Sequence, residues 1–457
     1  MTQETQGRGA WGNRLGFILA AAGSAVGLGN LWKFPYLTYR FGGEDPEQGG
    51  AGGFVLIYLL CVALVGLPVM IAEVLIGRRG RLNPVGSFRA LRPASPWRLT
   101  GFLGLLAGFL ILSYYAVVAG WTMEYVVKSV AWDFAGNDPV QMFDDFVSNP
   151  VKQVAWFFVF MVFSVLVVIG GVSKGIERWN RILMPLLLLM LLILVVRVFT
   201  LPGGGKAMRF LFLPDFANLD LDMVLWALGQ AFFSLSLGMG ALLTYGSYLP
   251  RKANIGLACV AIAGLDVFVA LCASVVIFGS IFSFGLVMES GGIGNLFTAI
   301  PAIFLKMEGG RWMSVIFYVL VSFAALTSAV SLLEVVSSYL IDEKKMLRRN
   351  AVITAGTIIF AVGVPCALSF NLLAGFTVLD RTVFDLFDFF CANLALPIGG
   401  ILISFFVGWV LTTEEKKEEL GEFSPGLFKV WNFLVRVVAP LAILLVLGAL
   451  LMGRVSG

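Results

Sequence analysis

Eleven separate stretches of this chain stay mostly apolar for about 20 residues or more, and that one feature decides what the chain can fold into. They cover roughly 14–38, 53–77, 99–128, 153–172, 180–200, 223–248, 254–287, 311–340, 350–370, 385–412 and 429–453, here spans 1 to 11. Twenty helical residues reach about 30 Å, the thickness of bilayer hydrocarbon. At that depth every backbone N–H and C=O must be satisfied internally, so each stretch is expected to be helical. Hydrophobic residues make up 59% of the 457 and charged residues only 13%; soluble domains hold about 45–50% and about 25%. A soluble enzyme is excluded. The expected fold class is an all-α polytopic membrane protein with 11 transmembrane helices. The apolar stretch 293–306 is too short to span and contains Pro301, so it reads as a helical external loop that dips into the protein.

Loop charges set the orientation, because Lys and Arg concentrate on the cytoplasmic side. The second connection holds Arg78, Arg79, Arg81, Arg89, Arg92 and Arg98, and the fourth holds Lys174 and Arg178. Arg251 and Lys252 lie in the sixth, Lys344, Lys345, Arg348 and Arg349 in the eighth, and Lys416 and Lys417 in the tenth. Residues 41–50 carry three acids and no base, and residues 129–151 carry four acids and no base. The even connections and the N-terminal segment 1–13, with Arg8, are therefore expected in the cytoplasm, and the C-terminus outside a plasma or inner membrane. The lead before span 1 is polar, and span 1 is too long and interrupted for a cleavable signal peptide. Thirty-two bases against 28 acids give +4, and the bases lie in short loops, so lipid and not nucleic acid is the expected partner.

The chain has no histidine, which removes His-based acid–base catalysis, Ser-His-Asp triads and His-ligated metals. Cys61, Cys259, Cys272, Cys366 and Cys391 sit in apolar segments without Cys-x-x-Cys spacing and read as buried free thiols. There is no Gly-x-Ser-x-Gly motif, and no enzyme is expected.

Two spans carry interruptions. Span 1 reads Gly23-Ser-Ala-Val-Gly27-Leu-Gly29-Asn30 and span 6 reads Ser234-Leu-Ser236-Leu-Gly238-Met-Gly240. Glycine costs a helix about 1 kcal/mol relative to alanine, so paired glycines beside polar residues point to unwound backbone. Spans 1 and 6 each open a set of five, 14–200 and 223–412, with 429–453 left over as an eleventh helix. Five is odd, so the two sets run through the membrane in opposite directions. Interrupted helices at matching positions of an inverted 5+5 repeat mark a transport site, where half-helix ends offer N–H groups to an anion and carbonyls to a cation.

These residues resemble the neurotransmitter:sodium symporter family. The resemblance runs through Trp11-Gly-Asn-Arg14, Gly23 to Asn30, Phe34-Pro-Tyr36, Gly66-Leu-Pro68 to Glu73, and Tyr114-Tyr115. It continues through Ser173-Lys-Gly-Ile-Glu-Arg178, Gln230 to Tyr248, and Leu326-Thr-Ser328. The pattern is most similar to the bacterial, leucine-transporter-like amino-acid branch, which often has eleven spans. The resemblance implies a sodium-coupled symporter working by alternating access. A channel, or a sensor that binds without transporting, is the alternative.

The resemblance implies two sodium sites. One uses carbonyls of Gly23, Val26 and Ala324 with hydroxyls of Thr327 and Ser328; the other uses Ala25, Asn30, Ser234 and Asp266. Asp266 also stands out unaided as a lone carboxylate within an apolar span, which is costly without a functional partner. Chloride-dependent relatives have a neutral residue at its position, so chloride is not expected to be required. Glu73 and Gln230 are expected in the same buried network; Glu334 is either part of it or merely approaches the cytoplasmic interface.

The implied substrate is a hydrophobic or aromatic L-amino acid. Its carboxylate would meet the N–H groups near Leu28 and Gly29 and the hydroxyl of Tyr115. Its ammonium would meet carbonyls near Ala25, Phe233 and Ser236. Ile111, Phe233, Met239 and Leu332, with Ser328 at the edge, would hold the side chain in an apolar pocket. Monoamine carriers place an aspartate where this chain has Gly27. An external gate is implied by Lys33, Phe233 and Asp388, with Asp385 as the alternative acid, and a cytoplasmic latch by Arg8 and Trp11. Relatives commonly have Arg in place of Lys33, and the connection 41–50 is longer than the short Gly-rich turn expected there.

Overall fold

Each expected span is helical in the structure, a computed structural model that describes residues 9–42, 50–214, 220–286 and 293–451. Nine spans among the described residues run without a sharp break: Gly52–Gly80, Arg98–Ala131, Pro150–Ile169, Val172–Phe199, Ile255–Phe284, Gly310–Lys344, Arg348–Leu368, Val383–Val410 and Pro425–Leu450. Two more are broken. Span 1 is Arg14–Ala25 followed by Gly29–Gly42, bent by 55°. Span 6 is Leu221–Ser234 followed by Ala241–Ser247. The chain is thus an all-α polytopic membrane protein, and its eleven spans are those the apolar pattern marks. Spans 3 and 8 have 34 and 35 residues, more than an untilted crossing of the bilayer needs, and pack against each other.

Short helices fill the connections. Asn295–Lys306 is the helix expected from the apolar stretch before span 8. It buries Leu296, Phe297 and Phe304, and Phe297 lies 4.9 Å from Tyr125 and 5.6 Å from Trp121 between ring centroids. Phe143, on the helix Pro139–Val147, stacks on the same phenylalanine at 5.6 Å. That helix and a third, Gly204–Phe212, were not marked by apolar length, because each is too short to show a period clearly.

At the opposite end, the helix Thr413–Glu419 brings acids to the arginines of the second connection. Arg78 is buried and donates from Nε to Glu419 at 2.7 Å and from Nη1 to the Ala253 carbonyl at 2.5 Å. Arg92 holds Glu415 with two hydrogen bonds of 3.0 and 2.7 Å, and Arg79 reaches Glu418 at 2.7 Å. The Arg92 guanidinium keeps the Glu415 carboxyl down at about 2.

Candidate functional site

Val26 leaves the helix with φ −70° and ψ 102°, which ends the first half of span 1. In span 6 the chain turns through Ser236, Gly238 and Gly240 at φ of 55°, 81° and 76°. Positive φ costs a serine more than a glycine, and the Ser236 hydroxyl is tied to the Ser24 carbonyl of the other break at 2.8 Å. The two breaks therefore meet. They enclose a cavity of about 30 Å³ with Ile111 and Tyr115 of span 3 and Ser328, Ser331 and Leu332 of span 8. All ten expected substrate contacts (Ala25, Leu28, Gly29, Ile111, Tyr115, Phe233, Ser236, Met239, Ser328 and Leu332) line it.

The Leu28 N–H donates to the Tyr115 hydroxyl at 3.4 Å, so the free end of the second half-helix and the span 3 hydroxyl face one point. Gly27 lies against this pair. A Cβ there would sit 2.8 Å from Ser328 Oγ and 3.1 Å from the Tyr115 hydroxyl. No side chain, acidic or otherwise, fits without displacing them.

One oxygen cluster lies beside the cavity. Asn30 Nδ2 donates to Asp266 Oδ1 at 2.7 Å and to Ser234 Oγ at 3.0 Å, and Ser234 Oγ donates to Asp266 Oδ2 at 2.7 Å. Ala25 joins Asn30 and Ser234 on the cavity wall. Tyr58 of span 2 completes the group, its hydroxyl donating to Asp266 Oδ2 at 3.4 Å. The sequence reading missed Tyr58, since one tyrosine in an apolar span carries no polar signal.

A second oxygen cluster joins spans 1 and 8. Ser328 Oγ lies 3.3 Å from the carbonyl oxygens of Gly23 and Val26 and 3.2 Å from that of Ser24. Thr327 Oγ1 donates back to the Ala324 carbonyl at 3.0 Å. Gly23, Val26, Ala324, Thr327 and Ser328 are thus brought together, with Thr327 back-bonded within its own helix as Ser and Thr commonly are. Asn180 of span 5 also abuts Gly23, and its buried Oδ1 accepts no hydrogen bond among the described residues.

Glu73 and Gln230 differ from expectation. Neither bonds to Asp266 among the described residues. Glu73 Oε1 accepts from the Gly238 N–H at 2.6 Å, and Gln230 Nε2 donates to the Gly29 carbonyl at 3.4 Å. Glu73 thus satisfies a backbone N–H within the span 6 break, where unwound backbone needs partners, whereas Gln230 adds a second donor to a carbonyl that already accepts the Phe34 N–H.

At the end of the cavity away from Trp11, Lys33 Nζ sits 4.8 Å from the Phe233 ring centroid, a cation–π contact. Among the described residues it forms no ion pair with Asp388 within 4.0 Å. Asp385 is occupied by a capping box with Thr382, whose hydroxyl donates to it at 2.7 Å, whereas Asp388 lies near enough to interact with both Lys33 and Tyr114. At the other end Trp11 Nε1 donates to the Tyr245 carbonyl at 2.9 Å. Arg8 lies outside the described residues. Glu334 is fully buried there: it accepts from the Tyr248 hydroxyl at 2.7 Å and from Arg348 Nη2 at 2.5 Å. Glu177 of span 5 accepts from the Gly12 N–H at 2.7 Å. Glu334 thus joins spans 6, 8 and 9, and Glu177 joins span 5 to the start of span 1; the sequence reading had left the first open and the second unassigned.

Comparison with known proteins places this architecture. A family model described as the sodium:neurotransmitter symporter family matches residues 8–145 and 141–454. The chain belongs to that family. The symporter is 39% identical over 444 residues to the uncharacterized sodium-dependent transporter YhdH of Bacillus subtilis, covering 95% of this chain and 96% of that one. It is 31% identical over 460 residues to an uncharacterized sodium-dependent transporter of Haemophilus influenzae, covering 98% and 99%. Among solved structures, MhsT in complex with L-phenylalanine matches with a TM-score of 0.88 at 41% identity, over 98% of this chain and 100% of that one. The symporter is therefore a multi-pass, sodium-dependent membrane transporter and not an enzyme.

Proposed function

We propose that this symporter imports hydrophobic L-amino acids together with two sodium ions, without chloride, by alternating access. The observation that carries the reading is one cavity touched by both broken helices, with an oxygen cluster on each flank. A zwitterion suits this wall. Its carboxylate meets the Leu28–Tyr115 corner, and its ammonium meets carbonyls of the breaks. The pocket offers no charge for a charged side chain, which would be buried unpaired. The structural relative carrying L-phenylalanine supports the substrate class.

Sodium is a hard cation and takes oxygen ligands. The Gly23, Val26 and Ala324 carbonyls with Thr327 and Ser328 would hold one ion. Ala25, Asn30, Ser234 and Asp266 would hold the other, with the Asn30 amide turned to present its oxygen. Asp266 supplies a negative charge beside that ion, which is the basis for chloride independence. The two repeats comprise residues 14–200 and 223–412, residues 429–453 add an eleventh helix, and the N-terminus faces the cytoplasm with the C-terminus outside. Lys33 with Asp388 would close the outer side, and Trp11 with Arg8 the inner side.

The test is uptake into proteoliposomes. An inward sodium gradient should drive uphill accumulation of leucine, phenylalanine or tryptophan, unchanged when gluconate replaces chloride. Accumulation that needs chloride rejects that part of the proposal. Binding without sodium-driven accumulation rejects symport.

A further inference from the structure

The floor of the cavity is not the uniformly apolar surface that Ile111, Met239 and Leu332 led us to expect. Ser24, Ser236, Ser328 and Ser331 also line it, and their hydrogen bonds have a direction. Ser24 Oγ donates to Ser331 Oγ at 2.7 Å, and Ser331 Oγ donates to the Ser328 carbonyl at 2.7 Å. Ser236 Oγ donates to the Ser24 carbonyl at 2.8 Å, and Ser328 Oγ donates into the carbonyls of Gly23, Ser24 and Val26. All four hydroxyl protons are therefore spent inside the protein.

Each hydroxyl oxygen still has two acceptor lone pairs. Ser331 Oγ uses one of its pair to accept from Ser24. Among the described residues nothing donates to Ser24 Oγ. The floor thus offers acceptors and no donor. Its position suits a side-chain tip. Ser24 lies four residues before Leu28, on the first side of the span 1 break, and Ser331 three residues after Ser328 on span 8. Both displacements run toward the same end, because Tyr248 links Glu334 of span 8 to the region where Trp11 docks. Three residues of span 8 rise about 4.5 Å, on the scale of an aromatic side chain extending from an amino acid anchored at Leu28 and Tyr115.

We infer that the Ser24–Ser331 pair selects, within the hydrophobic class, amino acids whose side chain ends in a hydrogen-bond donor: the indole N–H of tryptophan or the phenol O–H of tyrosine. This rests on the substrate class proposed above. A donor-bearing ring gains one neutral hydrogen bond at the floor. A ring or chain without a donor leaves the Ser24 oxygen dehydrated and without a donor, and the second lone pair of Ser331 unused.

The experiment is displacement of labelled L-tryptophan from the purified full-length protein in sodium, with L-3-benzothienylalanine as competitor. That ring has nearly the shape of indole but carries sulfur in place of N–H. Tryptophan should compete about 2- to 10-fold better, the worth of one neutral hydrogen bond. The ratio should fall towards one in Ser24→Ala and in Ser331→Ala, while Ser331→Thr, which keeps the hydroxyl, should retain it. Because each ratio is taken within one protein, a general loss of folding cancels. Equal competition in the native protein, or a ratio that survives both alanine variants, overturns the inference while leaving the hydrophobic class standing. If neither tryptophan nor phenylalanine binds in sodium, the substrate class itself is wrong and the selection rule falls with it.

Discussion

Replacing Gly27 with alanine should separate ligand binding from folding in this symporter. The added Cβ would lie 2.8 Å from Ser328 Oγ and 3.1 Å from the Tyr115 hydroxyl, short of ordinary contact at 3.4 Å by about 0.6 and 0.3 Å. Tyr115 is a rigid ring on span 3 and yields little. Ser328 can rotate, but it then gives up its approach to the carbonyls of Gly23 and Val26, now at 3.3 Å. Overpacking of this size costs about 1–3 kcal/mol, or roughly 5- to 150-fold in an equilibrium constant. The cost falls where a sodium ion and the substrate carboxylate would bind, not on the scaffold. In sodium-dependent binding of labelled amino acid to Gly27→Ala, half-saturation should need at least about five times more sodium, and substrate affinity should drop with it. Thermal stability measured without sodium should shift little. A variant with native sodium dependence and native substrate affinity would refute the reasoning, because Ser328 and Tyr115 would then be bystanders.

Three further outcomes follow from the same geometry. Asp266→Asn removes the charge that accepts from Asn30 and Ser234 at 2.7 Å each, so sodium activation should weaken by an order of magnitude or more, and chloride should begin to stimulate transport; native behaviour in chloride-free medium would count against its role. Tyr248→Phe deletes one hydrogen bond to the buried Glu334 carboxylate, worth about 1.5–3 kcal/mol, and should raise the reactivity of a cysteine introduced near Trp11 by about 10-fold or more; unchanged labelling would show that this contact does not hold the inner side shut. Glu415→Gln should lower the melting temperature at neutral pH. Arg92 depresses the folded-state titration of Glu415 to about 2 from the usual 4.5, so its stabilisation is present above pH 4.5 and is lost as pH falls towards 2. The gap between native and variant should close over that window, and a gap independent of pH would be inconsistent with the ion pair.

The spans were legible because bilayer thickness fixes their length, and the breaks were legible because glycine pairs recur at matching places. What stayed hidden has a common cause. Tyr58, Ser24 and Ser331 are ordinary residues of apolar or small-residue segments, and only the crossing of helices turns them towards a site. Glu73 and Gln230 announced a buried polar role, but a sequence cannot say which partner each finds: one takes the Gly238 N–H in the span 6 break and the other the Gly29 carbonyl at the start of the second half of span 1. Glu334 was ambiguous for the same reason. Its partner Arg348 sits in a connection, where a base reads as topology and not as half of a buried pair. Lys33, Phe233 and Asp388 were linked only by the family resemblance, and the lysine rests on Phe233.

The arginines of the second connection do two jobs at two times. As the chain emerges, Arg78, Arg79 and Arg92 have not yet met their partners and would, in the proposed orientation, hold their loop on the cytoplasmic side. Their acidic partners come late: Glu419 follows Arg78 by 341 residues, and Glu415 follows Arg92 by 323. By the time spans 10 and 11 are made, the topology of the first spans is already decided. The same charges then change from address labels into staples. The two roles can be taken apart genetically. Removing the arginines should disturb which way the early spans insert, whereas removing the glutamates should leave every span correctly threaded and only loosen the finished protein.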